Sequence, residues 1–131
     1  MSTEIENVMR IAIAQLNPTM GDVAGNLELA REARADAARH GADLVLFTEL
    51  FLSGYPPEDL VLKPAFMRAC DRALNDLAAD TADGGPGVVI GFPRFSDFGR
   101  FYAVALLDGG EIVAEGTPEQ VAKVPESRTG Q

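Results

Sequence analysis

An α/β fold is predicted by three features of the 131-residue sequence. Two apolar runs, residues 8–15 and 43–48, are separated by a segment of helical periodicity. A second helical segment follows and leads to a third apolar run at 88–92. Further on, residues 101–107 and 111–114 meet across Asp108-Gly109-Gly110, the signal of a β-hairpin.

The elements can be justified in chain order. Residues 8–15 read as a buried strand, stopped by Asn17-Pro18. Asn26 reads as the N-cap of a helix reaching about His40, which Gly41 closes at the C′ position. Leu29, Ala33 and Ala37 form its apolar stripe, small enough for close packing on a sheet. Residues 43–48 are a continuous apolar run, expected where both faces of a strand are covered. Strand, helix and strand within about forty residues make a βαβ unit, so the two strands are predicted to be parallel and adjacent. Pro64 suits the first position of a second helix reaching about Ala82. Its stripe is Phe66, Cys70, Ala73, Leu74 and Leu77. A Gly-Gly-Pro-Gly break precedes the third strand. Near the C-terminus, 117–121 reads as an N-capped helical turn and the residues after Pro125 as a frayed end.

Composition narrows the function. The length suits one domain with one core, and 47% hydrophobic residues against 24% charged argue for a globular chain. Eleven basic against 20 acidic residues give a net charge of −9, which disfavours nucleic acid or an anionic membrane as partner. One cysteine excludes an internal disulfide and a CxxC site, and one histidine excludes a multi-histidine metal centre within the chain. The N-terminus is acidic where a signal peptide would be basic, and no apolar run reaches membrane-spanning length. The expected location is the cytoplasm.

Glu49 is the candidate for chemistry. It ends the apolar run Leu44-Val45-Leu46-Phe47-Thr48 and precedes the rigid Gly54-Tyr55-Pro56-Pro57 segment. In α/β folds, ligands sit outside the carboxyl ends of the strands, where this acid would stand. Spacing by itself leaves Glu49 equally readable as a capping or surface acid. His40 reads as a cation at a helix C-terminus. Cys70 lies on an apolar stripe, where a thiol behaves as a small hydrophobe, so it is not expected to be a nucleophile. A pairing of Glu49 with Asp22 or Asp59 around a hard cation is a further possibility on residue type, and no metal site is assigned.

Three stretches carry a family resemblance. They are Arg10-Ile-Ala-Ile-Ala-Gln-Leu-Asn-Pro-Thr-Met-Gly-Asp, Gly41-Ala-Asp-Leu-Val-Leu-Phe-Thr-Glu-Leu and Ser53-Gly-Tyr-Pro-Pro-Glu-Asp-Leu. They resemble the nitrilase, or carbon–nitrogen hydrolase, superfamily. Within it they are most similar to the N-terminal glutaminase domain of glutamine-dependent NAD+ synthetases, over roughly residues 9–113. The resemblance implies a partial αββα sandwich, about its first half, with a mixed sheet and helices on one face. It implies glutamine as substrate and a Glu–Lys–Cys triad, with Glu49 as general base and Tyr55 lining the glutamine pocket. A thiol needs a base to become a thiolate, and the acyl intermediate needs a positive or N–H donor for its oxyanion. No cofactor is implied for this domain; ATP and magnesium belong to the family's synthetase domain.

The chain departs from the family after residue 114. Residues 1–114 are therefore read as a partial carbon–nitrogen hydrolase domain and 115–131 as a non-family tail. The family's Tyr-Arg-Lys segment and later cysteine have no counterpart, since Lys63 precedes a helix and Lys123 stands in a foreign context. From about residue 110 the sequence Gly110-Glu-Ile-Val-Ala-Glu-Gly-Thr-Pro-Glu-Gln-Val is similar to the C-terminus of an ABC-type excision-repair ATPase, which suggests a truncation or chimera. No P-loop is present, so no ATPase activity follows. A chain holding Glu49 without its companions is expected to be inactive in isolation. A half-sandwich leaves strand edges unpaired, which makes self-association through them the alternative role.

Overall fold

The computed structural model describes residues 8–54, 63–96 and 99–117; over 94–101 only the backbone is described. The order is β1 (Ile11–Ala14), α1 (Val23–Arg39), β2 (Leu44–Phe47), α2 (Pro64–Asp80), a 3₁₀ turn (Thr81–Asp83), β3 (Gly87–Ser96), β4 (Gly99–Asp108) and β5 (Glu111–Gly116). The five strands form one mixed sheet in the order β1-β2-β3-β4-β5. β1, β2 and β3 run parallel, with Ile11 opposite Leu44 and Leu44 opposite Gly87. β3, β4 and β5 run antiparallel. The predicted parallel βαβ unit is present, as is the hairpin across residues 108–110.

Both helices pack on the same face of the sheet. Val23, Leu27, Ala30 and Ala37 of α1, with Cys70, Ala73, Leu74, Leu77 and Ala78 of α2, share one core with Val45, Phe47, Val88, Ile90, Phe92, Ala103, Ala105 and Leu107. Those strand residues alternate, as the two-residue period of a strand demands. Among the described residues, no helix is long and apolar enough to cross a membrane.

Several expectations need correction. α1 begins three residues before Asn26: its cap is Asp22, whose carboxylate accepts the Gly25 N–H at 3.0 Å. Both residue types favour helix caps, and the sequence offers two of them four apart. α2 ends at Asp80 rather than Ala82, because the last turn tightens into the 3₁₀ turn. β3 is longer than expected and continues through Pro93 to Ser96, forming a second hairpin with β4 that composition did not reveal.

The apolar runs of β1 and β2 do not mean burial on both faces here. Val45 and Phe47 are buried under the helices, while Leu44 and Leu46 are half-buried. On β1, Ile11 and Ile13 are 51% and 69% exposed, and on β4 Tyr102 is 50% exposed. The second face of the sheet is thus apolar and accessible.

An ion pair between a buried arginine and an exposed aspartate ties the helix layer to the loop before β3. Arg34, on α1, donates to both carboxylate oxygens of Asp83 and, through Nε, to the Pro86 carbonyl at 2.9 Å. At the opposite turn, Thr81 Oγ1 donates to Ala78 O and accepts the Gly110 N–H, which pins the β4–β5 turn to the end of α2.

Candidate functional site

Glu49 stands two residues beyond β2, at the carboxyl end of the strand, as anticipated from the apolar run. Its side chain is exposed and lines a cleft of about 360 Å³ with Thr48 and with Leu16, Asn17 and Pro18 from the loop after β1. Two parallel neighbouring strands therefore supply both walls of the cleft, in keeping with the location of ligand sites in α/β folds. A larger groove, about 530 Å³, runs along β1 and α1 and does not include Glu49. The smaller cleft is the one that holds the Glu49 carboxylate at a strand end.

The turn that follows Glu49 is unusually constrained. Leu50, Phe51, Leu52 and Ser53 are all fully buried. Phe51 packs against Phe47 with ring centroids 4.9 Å apart, which fixes the turn to the end of β2. Leu50 has φ of 56°, the left-handed region that side-chain-bearing residues rarely adopt. Its carbonyl accepts the Gly54 N–H at 2.9 Å and the Ser53 hydroxyl at 3.2 Å.

Asn26 joins the two walls. It is only 2% exposed, and its side chain makes three hydrogen bonds. Oδ1 accepts the Thr19 N–H at 2.8 Å, and Nδ2 donates to Thr19 O at 2.9 Å and Leu52 O at 3.0 Å. The Gly21 N–H adds a bond to Ser53 O at 2.9 Å. Gly54, with φ of 78°, completes the join: a methyl there would lie 2.5 Å from Met20 Cα. Sequence reasoning missed this clamp because a buried amide bridging two loops and an N-cap use the same residue type.

The remaining candidates lie elsewhere. Cys70 is buried on the core side of α2, where loss of hydration pushes its thiol up to about 12, with the nearby Asp71 charge adding to the shift. Lys63 precedes α2 and is exposed. His40 caps α1, with Nδ1 2.8 Å from Asp36 O. Asp22 is occupied as the N-cap of α1. Tyr55, Asp59 and Lys123, and the predicted turn at 117–121 beyond Thr117, lie outside the described residues. Among the described residues, no group of three or more His, Cys, Asp or Glu side chains is arranged to hold a metal ion.

Comparison with known proteins agrees with this fold. The chain is 46% identical over 105 residues to the glutamine-dependent NAD(+) synthetase of Thermotoga maritima, covering 80% of this chain and 18% of that protein. It is also 46% identical over 105 residues to the corresponding synthetase of Rhodobacter capsulatus, covering 80% and 19%. The chain thus spans about a fifth of the length of these relatives. Among solved structures, a glutamine-dependent NAD+ synthetase from Acinetobacter baumannii superposes with a TM-score of 0.75 at 28% identity, covering 83% of this chain and 20% of that one. An amidase from Nesterenkonia sp. superposes at 0.68 and 31% identity, covering 87% and 46%. Residues 10–117 match the carbon-nitrogen hydrolase family, and the chain belongs to it.

Proposed function

We propose that this chain is an N-terminal part of a glutamine-hydrolysing domain of the kind that supplies ammonia for NAD+ synthesis, with Glu49 as its general base. The observation that carries the reading is the position of Glu49: at the carboxyl end of β2, on a cleft walled by the loop after β1. The similarity to glutamine-dependent NAD(+) synthetases over four-fifths of the chain supports it.

In this reading Glu49 accepts the proton of a cysteine thiol. The thiolate attacks the side-chain amide carbon of glutamine, a lysine stabilises the oxyanion, and the protonated Glu49 returns its proton to the amide nitrogen, so that the C–N bond breaks, ammonia leaves and the acyl-thioester forms. Water activated by Glu49 then releases glutamate. Neither Lys63 nor Cys70 lines the cleft. The purified chain is therefore expected to release no ammonia from glutamine. Turnover that disappears in Glu49→Gln would overturn that expectation.

The role of Glu49 is testable by grafting residues 10–117 in place of the matching segment of a full-length glutamine-dependent NAD+ synthetase. Glu49→Gln in the graft is expected to abolish glutamine-dependent NAD+ formation and to leave ammonia-dependent formation intact. Retention of the glutamine-dependent reaction would exclude Glu49 as the base. ATP and magnesium would act in the synthetase part of such a protein, not in this segment.

A second reading is favoured by the accessible apolar face. Ile11, Ile13 and Tyr102 on the side away from the helices suit a half-domain that associates with a second chain. A monomer at all concentrations in sedimentation would exclude it.

A further inference from the structure

We propose that Leu50 and Gly91 form a positioning device for Glu49: a left-handed backbone turn at Leu50, seated in a hollow that only glycine at position 91 leaves, sets where the Glu49 carboxylate lies. The proposal rests on the reading of Glu49 as the working acid of the cleft. Leu50 is the one non-glycine residue with positive φ among the described residues, and it directly follows Glu49. Glycine would adopt this conformation without strain, yet the position holds a leucine whose side chain is fully buried. The buried side chain anchors the turn while the backbone reverses, so the strain is held rather than relaxed.

Gly91 supplies the space. It lies in β3, beside the strand that delivers Glu49. A Cβ at position 91 would lie 2.5 Å from Leu50 N and 3.0 Å from Glu49 Cα. Both are backbone atoms, so no rotamer change could relieve the collision. The Leu52 N–H reaches back to Gly91 O at 3.5 Å, which closes the turn over the same residue. Any side chain at 91 must push Glu49 away from β3 and change its distance from the Asn17–Pro18 wall. Neither residue touches the cleft, so both act through Glu49.

The test compares Gly91→Ala with Gly87→Ala by NMR on the labelled chain, with L-glutamine as the probe. Gly87 is the first residue of β3, where the nearest atoms to an added Cβ are Leu107 O at 3.2 Å and side-chain atoms of Leu44 and Asp108, none of them in Glu49. Folded Gly91→Ala is expected to move the Thr48, Glu49 and Leu52 amide signals and to weaken the glutamine-induced shifts at Glu49 at least tenfold. Gly87→Ala is expected to leave both near wild type. Unchanged Glu49 signals in folded Gly91→Ala, or equal changes in the two variants, would overturn the proposal. Failure of wild type to respond to glutamine would count against the glutamine reading, while the amide signals still decide the positioning. If Gly91→Ala does not fold, the φ-dependent couplings of Leu50 in wild type decide: left-handed values support the device, and right-handed or extended values overturn it.

Discussion

Arg34 grips Asp83 with two hydrogen bonds, 3.0 and 2.7 Å long, from a guanidinium that is nearly buried to a carboxylate that is largely exposed. The fork joins α1 to the turn before β3, on the layer that supports the cleft. The Arg34 hydrogen bonds, and then the Gly85 N–H, hold the Asp83 carboxyl well below its ordinary value of 3.8. A depressed carboxyl stabilises the folded chain above its unfolded value, and that contribution is lost as the carboxylate protonates. Wild type should therefore outlast Asp83→Asn in thermal melts at pH 7. The gap should begin to narrow below about pH 4 and close only in stronger acid. A gap independent of pH would show that the charge contributes nothing.

Arg34→Met should cost more than Asp83→Asn, because it also strands the Pro86 carbonyl that Arg34 Nε satisfies. The melting midpoint at pH 7 is the measurement. Equal losses in the two variants would mean that the Pro86 bond is replaced by water.

Asn26→Ala should destabilise the chain by about 2–3 kcal/mol in urea unfolding, since three backbone groups lose a buried partner at once. The same variant should speed exchange of the Thr19 amide far more than that of strand amides in β4. Loss of stability without faster Thr19 exchange would argue that the clamp re-forms another way.

Cys70 should not react with a thiol reagent at pH 8 in the folded chain and should react fully in denaturant. Its thiol is both buried and held at about 12, so the reactive thiolate is scarce. Rapid native-state labelling would contradict its place on the core side of α2.

Ile13→Glu bears on the second reading of function. If the open sheet face binds another copy, wild-type sedimentation should rise with concentration, more so in high salt, where the net charge of −9 is screened. The variant should stay monomeric. Identical behaviour of the two would remove that face from consideration.

How much of this was legible beforehand depended on the range of the interaction involved. The parallel βαβ unit followed from two apolar runs and a helical stripe, and the hairpin followed from Asp108-Gly109-Gly110, because local periodicity and turn chemistry act over a few residues. The strand-end position of Glu49 came from the same local pattern. The exposure of Ile11 and Ile13 did not, since an apolar strand cannot record whether a second layer covers it. Residue type also misled at Asn26, where a cap and a clamp need the same amide.

The sequence by itself determined the kind of elements, their order and the residue at the strand end, because those depend on neighbours within one turn or one pleat. Only the tertiary structure decided that the loop after β1 and the turn after β2 face one another across a cleft. It also decided that Leu50 is bent left-handed over Gly91, 41 positions along the chain. Such contacts arise from packing between segments remote in sequence, and no local pattern of residues encodes their distance.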